Sequence, residues 1–189
     1  MNGSILILLL AILLLLVGFM IYFYSTYNRF KSLKNAGDAT LAQVRVAMKK
    51  RLDLIEQLVE GIKSYAKFER ETLEKITGMR TGVERASAEE LRNIDSASRG
   101  ILASVVAIAE SYPALRTSEA VTLTMNAIKD VEDEIARHRY TYNNIIQEYN
   151  TMLDTVPSKF VGRFSGLWKK EYLDFYEEEL KRPVVSLGG

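Results

Sequence analysis

The feature that most constrains this chain is an uninterrupted apolar run near its N-terminus, residues 5–24 (ILILLLAILLLLVGFMIYFY). The run holds no charge and no proline, and at 1.5 Å per residue its length matches the roughly 30 Å hydrocarbon core of a bilayer. Aromatic residues gather at its C-terminal end, as they do in the belts that mark a membrane–water interface. The sequence therefore predicts one membrane-spanning helix. The aromatic residues are Phe19, Tyr22, Phe23, Tyr24 and Tyr27.

A cleavable signal peptide is the alternative interpretation of such a segment. Signal peptides begin with a basic stretch, continue with an apolar core of roughly 7–15 residues and end at a small-residue cleavage site. Here the first four residues carry no charged side chain, the apolar run is longer, and it leads into Tyr-Phe-Tyr-Ser-Thr-Tyr. We therefore expect the segment to be retained as an anchor in the lipid bilayer.

Basic residues flank the apolar run on one side only. Arg29, Lys31 and Lys34 follow it closely, and no lysine or arginine precedes it. Because positive charge is retained on the cytoplasmic side of a membrane, we expect the short N-terminus outside and the following domain in the cytoplasm. The absence of cysteine agrees with a reducing compartment.

The charge balance argues against a nucleic-acid partner. Lysine and arginine number 25, aspartate and glutamate number 24, and the formal net charge is +1. A nucleic-acid-binding protein presents a basic face to the phosphates, and this chain has no surplus of positive charge to build one.

After the anchor, apolar residues recur every three or four positions, which is the period of an amphipathic helix. The pattern predicts three long helices. The first continues from the membrane to about Arg80 with Gly37-Asp38 as its weak point, the second lies between Ser87 and Pro113, and the third ends before Pro157.

The heptad spacing within these segments predicts helices that pack side by side. Ser87 and Glu90 have the capping-box pattern at the start of the second helix. The fold class is therefore all-α, an N-terminal transmembrane helix followed by an antiparallel up-and-down bundle of the four-helix type. We expect the bundle to consist of the three long helices and a short C-terminal helical segment that covers the part which the second helix leaves bare. We expect an anchor over residues 1–25, a bundle over 26–180 and a flexible tail over 181–189.

The segment after Pro157 is rich in aromatic residues and predicts a short helix or two. It holds more large rings than one short helix can bury against its own bundle, and such a surplus is typical of interfaces. We expect these rings to form contacts in a homo-oligomer. They are Phe160, Phe164, Trp168, Tyr172, Phe175 and Tyr176.

The chain offers little catalytic chemistry. A P-loop, a dinucleotide fingerprint and a zinc-protease motif are all absent, there is no cysteine, and His138 is the single histidine. We expect no catalytic residue, no cofactor and no metal. Arg51 and Glu69 fall on inward positions of the first helix, where we expect them to be partly solvated or paired across helices. His138 falls on an inward position of the third helix, where we expect a histidine at the edge of the core that is hydrogen-bonded to a neighbouring helix. The alternative for all three is a polar ligand pocket inside the bundle.

Several short segments together form a recognisable pattern. They are Tyr27-Asn28 after the anchor, the block 48–55 (MKKRLDLI), the turn 109–115 (AESYPAL), Tyr142-Asn143, Tyr149-Asn150 and Pro157-Ser158. In these segments the chain resembles the LemA family of bacterial membrane-anchored helical proteins. The resemblance implies a helical bundle outside the bilayer of the bacterial inner membrane, and it brings no established catalytic residues.

Two functions fit these patterns. The first is a membrane-tethered scaffold that binds copies of itself or other membrane proteins and catalyses nothing. The alternative is a ligand sensor or enzyme accessory subunit that uses a polar pocket inside the bundle.

Overall fold

The computed structural model describes residues 3–62, 70–116 and 118–174, and every regular element in these ranges is helical. The all-α prediction is confirmed. The helices are α1 (Gly3–Ile62), α2 (Arg70–Gly82), a 3-10 turn (Val83–Arg85), α3 (Ala88–Ser111), α4 (Pro113–Arg116), α5 (Glu119–Asp154) and α6 (Ser158–Phe164).

Helix α1 is long and apolar enough near its N-terminus to cross a membrane, and the side chains of that stretch are exposed. It passes through Gly37 and Asp38 without a break. Gly37 has a packing reason instead, since a Cβ atom at this position would lie 3.1 Å from Cδ1 of Ile146 on α5. The glycine allows the two helices to approach closely.

The chain divides into two compact units. The first unit combines the part of α1 up to Ala39 with Asn143–Glu171, and the second contains Thr40–Tyr142 and residues from Tyr172 onward. Both α1 and α5 contribute to each unit.

In the second unit, α2 folds back on α1. Arg80 Nε lies 2.8 Å from Asp53 Oδ1, although one continuous helix would separate these residues by about 40 Å. The predicted single helix to Arg80 is therefore wrong. Leu58 on α1 and Ile76 on α2 belong to the same core, so apolar residues keep the helical spacing before and after the reversal. The spacing of apolar residues alone does not reveal that the chain changes direction.

The remaining contacts give the direction of each helix. The guanidinium of Arg45 on α1 donates to the carbonyl of Ala86 just before α3. Further along α1, Arg51 bonds to Asp95 on α3, so α3 runs parallel to α1. Lys50 pairs with Glu134, and Ile128 packs on the core formed by the end of α1, so α5 runs antiparallel. The up-and-down order is α1, α2, α3, α5. The fourth helix of this bundle is therefore α2 and not the expected C-terminal segment, because the predicted first helix is divided into two antiparallel helices.

One core cluster of this unit is aliphatic and lies where the four helices meet. Its buried residues are Ile55, Leu58, Val59, Ile62, Ile76, Ile101, Val105, Leu115 and Ile128.

Ser87 caps α3 in the predicted way: its hydroxyl accepts the Glu90 backbone N–H, and the Glu90 carboxylate accepts the Ser87 N–H.

The first unit joins the early part of α1 to the end of α5. The ring of Phe30 meets that of Tyr149 edge-on with centroids 5.6 Å apart, and Arg29 pairs with Glu148. Leu33 and Val161 complete the buried cluster. Burial, and secondarily the charge of Asp38, raises the pKa of the Tyr149 hydroxyl above its ordinary value.

After α6 the chain is not helical over residues 167–174, so the prediction of a helical segment holds only for Ser158–Phe164. Gly166 adopts a φ of 64°, and the N–H of Leu167 bonds to the Gly162 carbonyl at 3.0 Å. This is the glycine-terminated Schellman end of a helix. The following segment has no regular secondary structure and is held by Asn150, whose side chain exchanges two hydrogen bonds with the backbone of Lys170.

Candidate functional site

A buried cluster of charges ties three helices of the second unit together. Arg51 on α1 donates from Nη1 to Asp95 Oδ1 at 2.7 Å and to Glu132 Oε1 at 2.9 Å. Its Nη2 donates to Ser98 Oγ at 2.6 Å. The side chain of Arg51 is only 1% exposed and that of Asp95 only 5%. One guanidinium therefore connects α1 to α3 and to α5.

A second arginine closes the cluster from the outside. Arg99 donates from Nε to Asp95 Oδ2 at 2.8 Å and from Nη2 to Glu132 Oε2 at 2.9 Å. Each carboxylate is thus held between two guanidinium groups. Because the four formal charges cancel, the cluster is neutral as a whole, which is the condition under which buried charges are tolerated.

The chemistry of this cluster is that of a structural clamp. The carboxylates of Asp95 and Glu132 both accept hydrogen bonds from arginines, and Ser98 Oγ donates to the Asp95 backbone carbonyl at 2.9 Å. The described residues include no group of histidine, cysteine or acidic side chains arranged to hold a metal ion.

The three residues expected in the polar core have different positions. Arg51 lies at the centre of the cluster, and Glu69 falls outside the described residues. His138 is partly exposed and lies 3.8 Å from Glu134, one turn earlier on the same helix. The partners Asp95, Ser98 and Glu132 were not identified from the sequence. The inward phase of Ser98 was visible, but a pattern within one helix does not name partners on another.

A second surface lies in the first unit, where α6 meets the aromatic end of the apolar run. The rings of Phe23 and Phe164 meet edge-on with centroids 5.8 Å apart. Beside them is an open, almost wholly apolar groove of about 490 Å³. Its lining includes Phe19, Met20, Tyr24 and Phe160.

Three of the aromatic residues expected at an oligomer contact are strongly exposed, and a fourth, Tyr172, is exposed to a smaller extent. Phe160 is 66% exposed, Phe164 84%, Trp168 83% and Tyr172 37%. Phe175 and Tyr176 lie outside the described residues. Their role as contacts between copies stays a prediction.

The residues expected at the membrane interface follow one another along α1. Phe19, Tyr22 and Tyr24 are exposed, whereas Phe23 and Tyr27 are partly covered by the rest of the unit. Beyond the aromatic residues, the ammonium group of Lys31 lies 5.3 Å from the centre of the Tyr27 ring. Arg29 is partly exposed, and Lys34 is exposed.

Comparison with known proteins agrees with this architecture. The chain is 28% identical over 148 residues to Protein LemA of Metamycoplasma hominis, a match that covers 76% of this chain and 65% of that protein. It is 25% identical over 101 residues to Magnetosome protein MamQ of Magnetospirillum gryphiswaldense, covering 53% of this chain and 36% of that protein. The chain thus spans less than two thirds of either relative's length. The sequence model of the LemA family matches residues 40–187. The chain belongs to the LemA family.

Proposed function

We propose that this protein is a single-pass membrane-anchored helical scaffold that acts by binding proteins, including further copies of itself, and not by catalysis. One observation carries the proposal: α1 is an unbroken helix from Gly3 to Ile62. Its first third is apolar and exposed, and its last third supplies core residues of the bundle. One helix therefore serves as anchor and as bundle element.

The Arg51 cluster supports a role without catalysis. A catalytic or ligand-binding arginine needs a free edge toward a cleft, whereas the Arg51 side chain is 1% exposed and bonded to two carboxylates and a hydroxyl. A ligand that entered here would have to displace Asp95 or Glu132 and leave a buried charge uncompensated. The alternative of a polar ligand pocket is therefore less well supported.

The relatives support the same direction. The mycoplasma protein is named only for the family, and the other relative is named for a magnetosome. Neither name states a reaction. The magnetosome named in the second relative supports our proposal that this chain helps to organise a structure at a bacterial membrane.

For the orientation we propose a short outer N-terminus and a cytoplasmic bundle at the inner membrane. Arg29, Lys31 and Lys34 support it, since all three follow the apolar run. The chain lacks cysteine, so single cysteines can be introduced without background. Ser4 and Ser104 are exposed residues on helices, which makes Ser4→Cys and Ser104→Cys a matched pair.

An impermeant thiol reagent applied to intact cells tests this orientation. We expect labelling of Ser4→Cys alone, and labelling of both variants once the cells are lysed. Labelling of Ser104→Cys in intact cells would reverse the topology. Release of the protein from membranes by alkaline carbonate would refute the anchor itself.

A further inference from the structure

Helix α6 is seated on the first unit through one face. Val161 and Gly162 are buried on this face, and a Cβ atom at Gly162 would lie 2.5 Å from Leu153 Cδ2 and 3.3 Å from Phe30 Cζ. This glycine allows α6 to lie directly against α1 and α5. The orientation of α6 about its own axis is therefore fixed by packing.

The opposite face of α6 is apolar and uncovered. Phe160 and Phe164 are four residues apart on α6, which places them on one side of this helix. They are 66% and 84% exposed. A short helix that is apolar on its packed face and also on its outer face is not organised to face water.

The level of α6 along α1 identifies what its outer face meets. Phe164 contacts Phe23, and the groove beside Phe160 also includes Phe19 and Met20, about one turn deeper in the apolar run. If residues 5–24 occupy the hydrocarbon core, then Phe160 and Phe164 lie at its edge. An interfacial helix buries its apolar face to a comparable depth, about 5–10 Å.

The charges of α6 suit a phospholipid surface. Lys159 and Arg163 are exposed and alternate with the phenylalanines, and the segment SKFVGRF has no acidic residue. Basic side chains beside an apolar face are the composition that binds the headgroup region of anionic membranes.

We propose that α6 is a second membrane contact, which inserts Phe160 and Phe164 into the bilayer interface beside the span, with Lys159 and Arg163 among the headgroups. The proposal rests on the proposed anchor. It assigns these two rings to lipid, in place of the contacts between copies expected from the sequence. The protein therefore contacts the membrane at two points, through the spanning helix and through α6 in the C-terminal part of the chain.

Trp168 distinguishes lipid from a second copy. Its neighbour Leu167 packs against the buried cluster that contains Phe30. Two residues after Trp168, Lys170 Nζ donates to Asp38 Oδ1 at 2.7 Å, and Asp38 follows Phe23 by fifteen residues, about 22 Å, along α1. Trp168 is therefore further from the hydrocarbon core than Phe164, although it is equally exposed. A bilayer would cover Phe164 and leave Trp168 in water, whereas a second copy could cover either ring and would shield it from lipid and water alike.

The single tryptophan of the chain allows a direct measurement. In a Trp168→Phe background, Phe164→Trp and Phe160→Trp move the only tryptophan to α6, and Phe19→Trp moves it into the span as a positive control. The full chain is reconstituted into phosphatidylcholine–phosphatidylglycerol vesicles whose acyl chains are brominated close to the headgroup. Circular dichroism verifies the helix content of each variant.

We expect the bromines to quench tryptophan at 164 and 160 several-fold more than the native Trp168, which should remain open to aqueous iodide. Iodide quenching at position 164 would overturn the proposal. A blue-shifted tryptophan at 164 that neither quencher reaches would also overturn it and indicate a second copy there. Loss of quenching in the Phe19→Trp control would instead refute the anchor, so the two failures are distinct.

Discussion

The guanidinium Nη1 of Arg51 donates a 2.7 Å hydrogen bond to Oδ1 of Asp95, and this contact joins α1 to α3 inside the bundle. Removing one partner of a buried pair is costly because it leaves the other charge without compensation. We expect Arg51→Met to lower the free energy of unfolding by about 3–5 kcal/mol. Urea denaturation of the full chain in mild detergent, followed by circular dichroism, measures this.

The double variant and a surface control make this prediction specific. Arg51→Met with Asp95→Leu leaves Arg99 bonded to Glu132, and we expect it to recover much of the lost stability. Arg80→Met removes partly exposed ion pairs to Asp53 and Glu56, and should cost no more than about 1 kcal/mol. If Arg51→Met cost no more than Arg80→Met, the clamp would have no structural role.

Gly162 should be sensitive to a single added carbon. Gly162→Ala places a methyl group between Leu153 and Phe30, and we expect it to cost about 1 kcal/mol or more through overpacking. Gly100→Ala is the control, because that position on α3 faces open space and alanine favours a helix. In detergent, the midpoint temperature of thermal unfolding should be lower for Gly162→Ala and higher for Gly100→Ala than for the wild type.

His138 should tolerate replacement. Its Nε2 lies 3.8 Å from Glu134 on the same helix, an interaction of the kind that contributes only a few tenths of a kcal/mol. We expect His138→Gln to change the stability by less than about 1 kcal/mol and to leave the assembly intact. Lost function with unchanged melting temperature would restore the ligand-pocket alternative.

The cap of α3 should depend on pH in a defined direction. The backbone N–H of Ser87, and then its hydroxyl, holds the pKa of the Glu90 carboxyl below its ordinary value. Because the pKa is lowered in the folded state, the contribution of the Glu90 carboxylate to the folding stability is present above the ordinary glutamate pKa. This contribution is lost as the pH falls through the lowered pKa.

We therefore expect the stability difference between wild type and Glu90→Gln to be present near neutral pH and to shrink in acid. Ser87→Ala, which removes the other half of the box, should cost about 1 kcal/mol. A stability difference for Glu90→Gln that grew in acid would contradict this cap.

The sequence predicted the helices well and their connections poorly, for physical reasons. The capping box at Ser87 was readable because both partners lie within four residues of each other. The reversal between α1 and α2 was missed because apolar residues at helical spacing continue on both sides of it. The end of α6 was missed because Phe160, Phe164 and Trp168 keep a helical spacing, although Gly166 was an available stop signal.

The candidate sites were predictable in part. Arg51 was visible as a charge at an inward position, and the exposed rings of the C-terminal segment as a surplus of aromatic area. Asp95 and Glu132 were not visible, because their role depends on which helices become neighbours. The closeness of Phe164 to Phe23 was hidden for the same reason, since 141 positions of chain separate them.

The most direct test of the scaffold account is native mass spectrometry of the full chain released from mild detergent, which reports the number of copies and any retained small molecule together. The account predicts a homo-oligomer of one defined mass with no bound metabolite, and dissociation only on dilution or denaturation. A monomer that carries a stoichiometric small molecule would contradict it and favour the ligand-binding sensor.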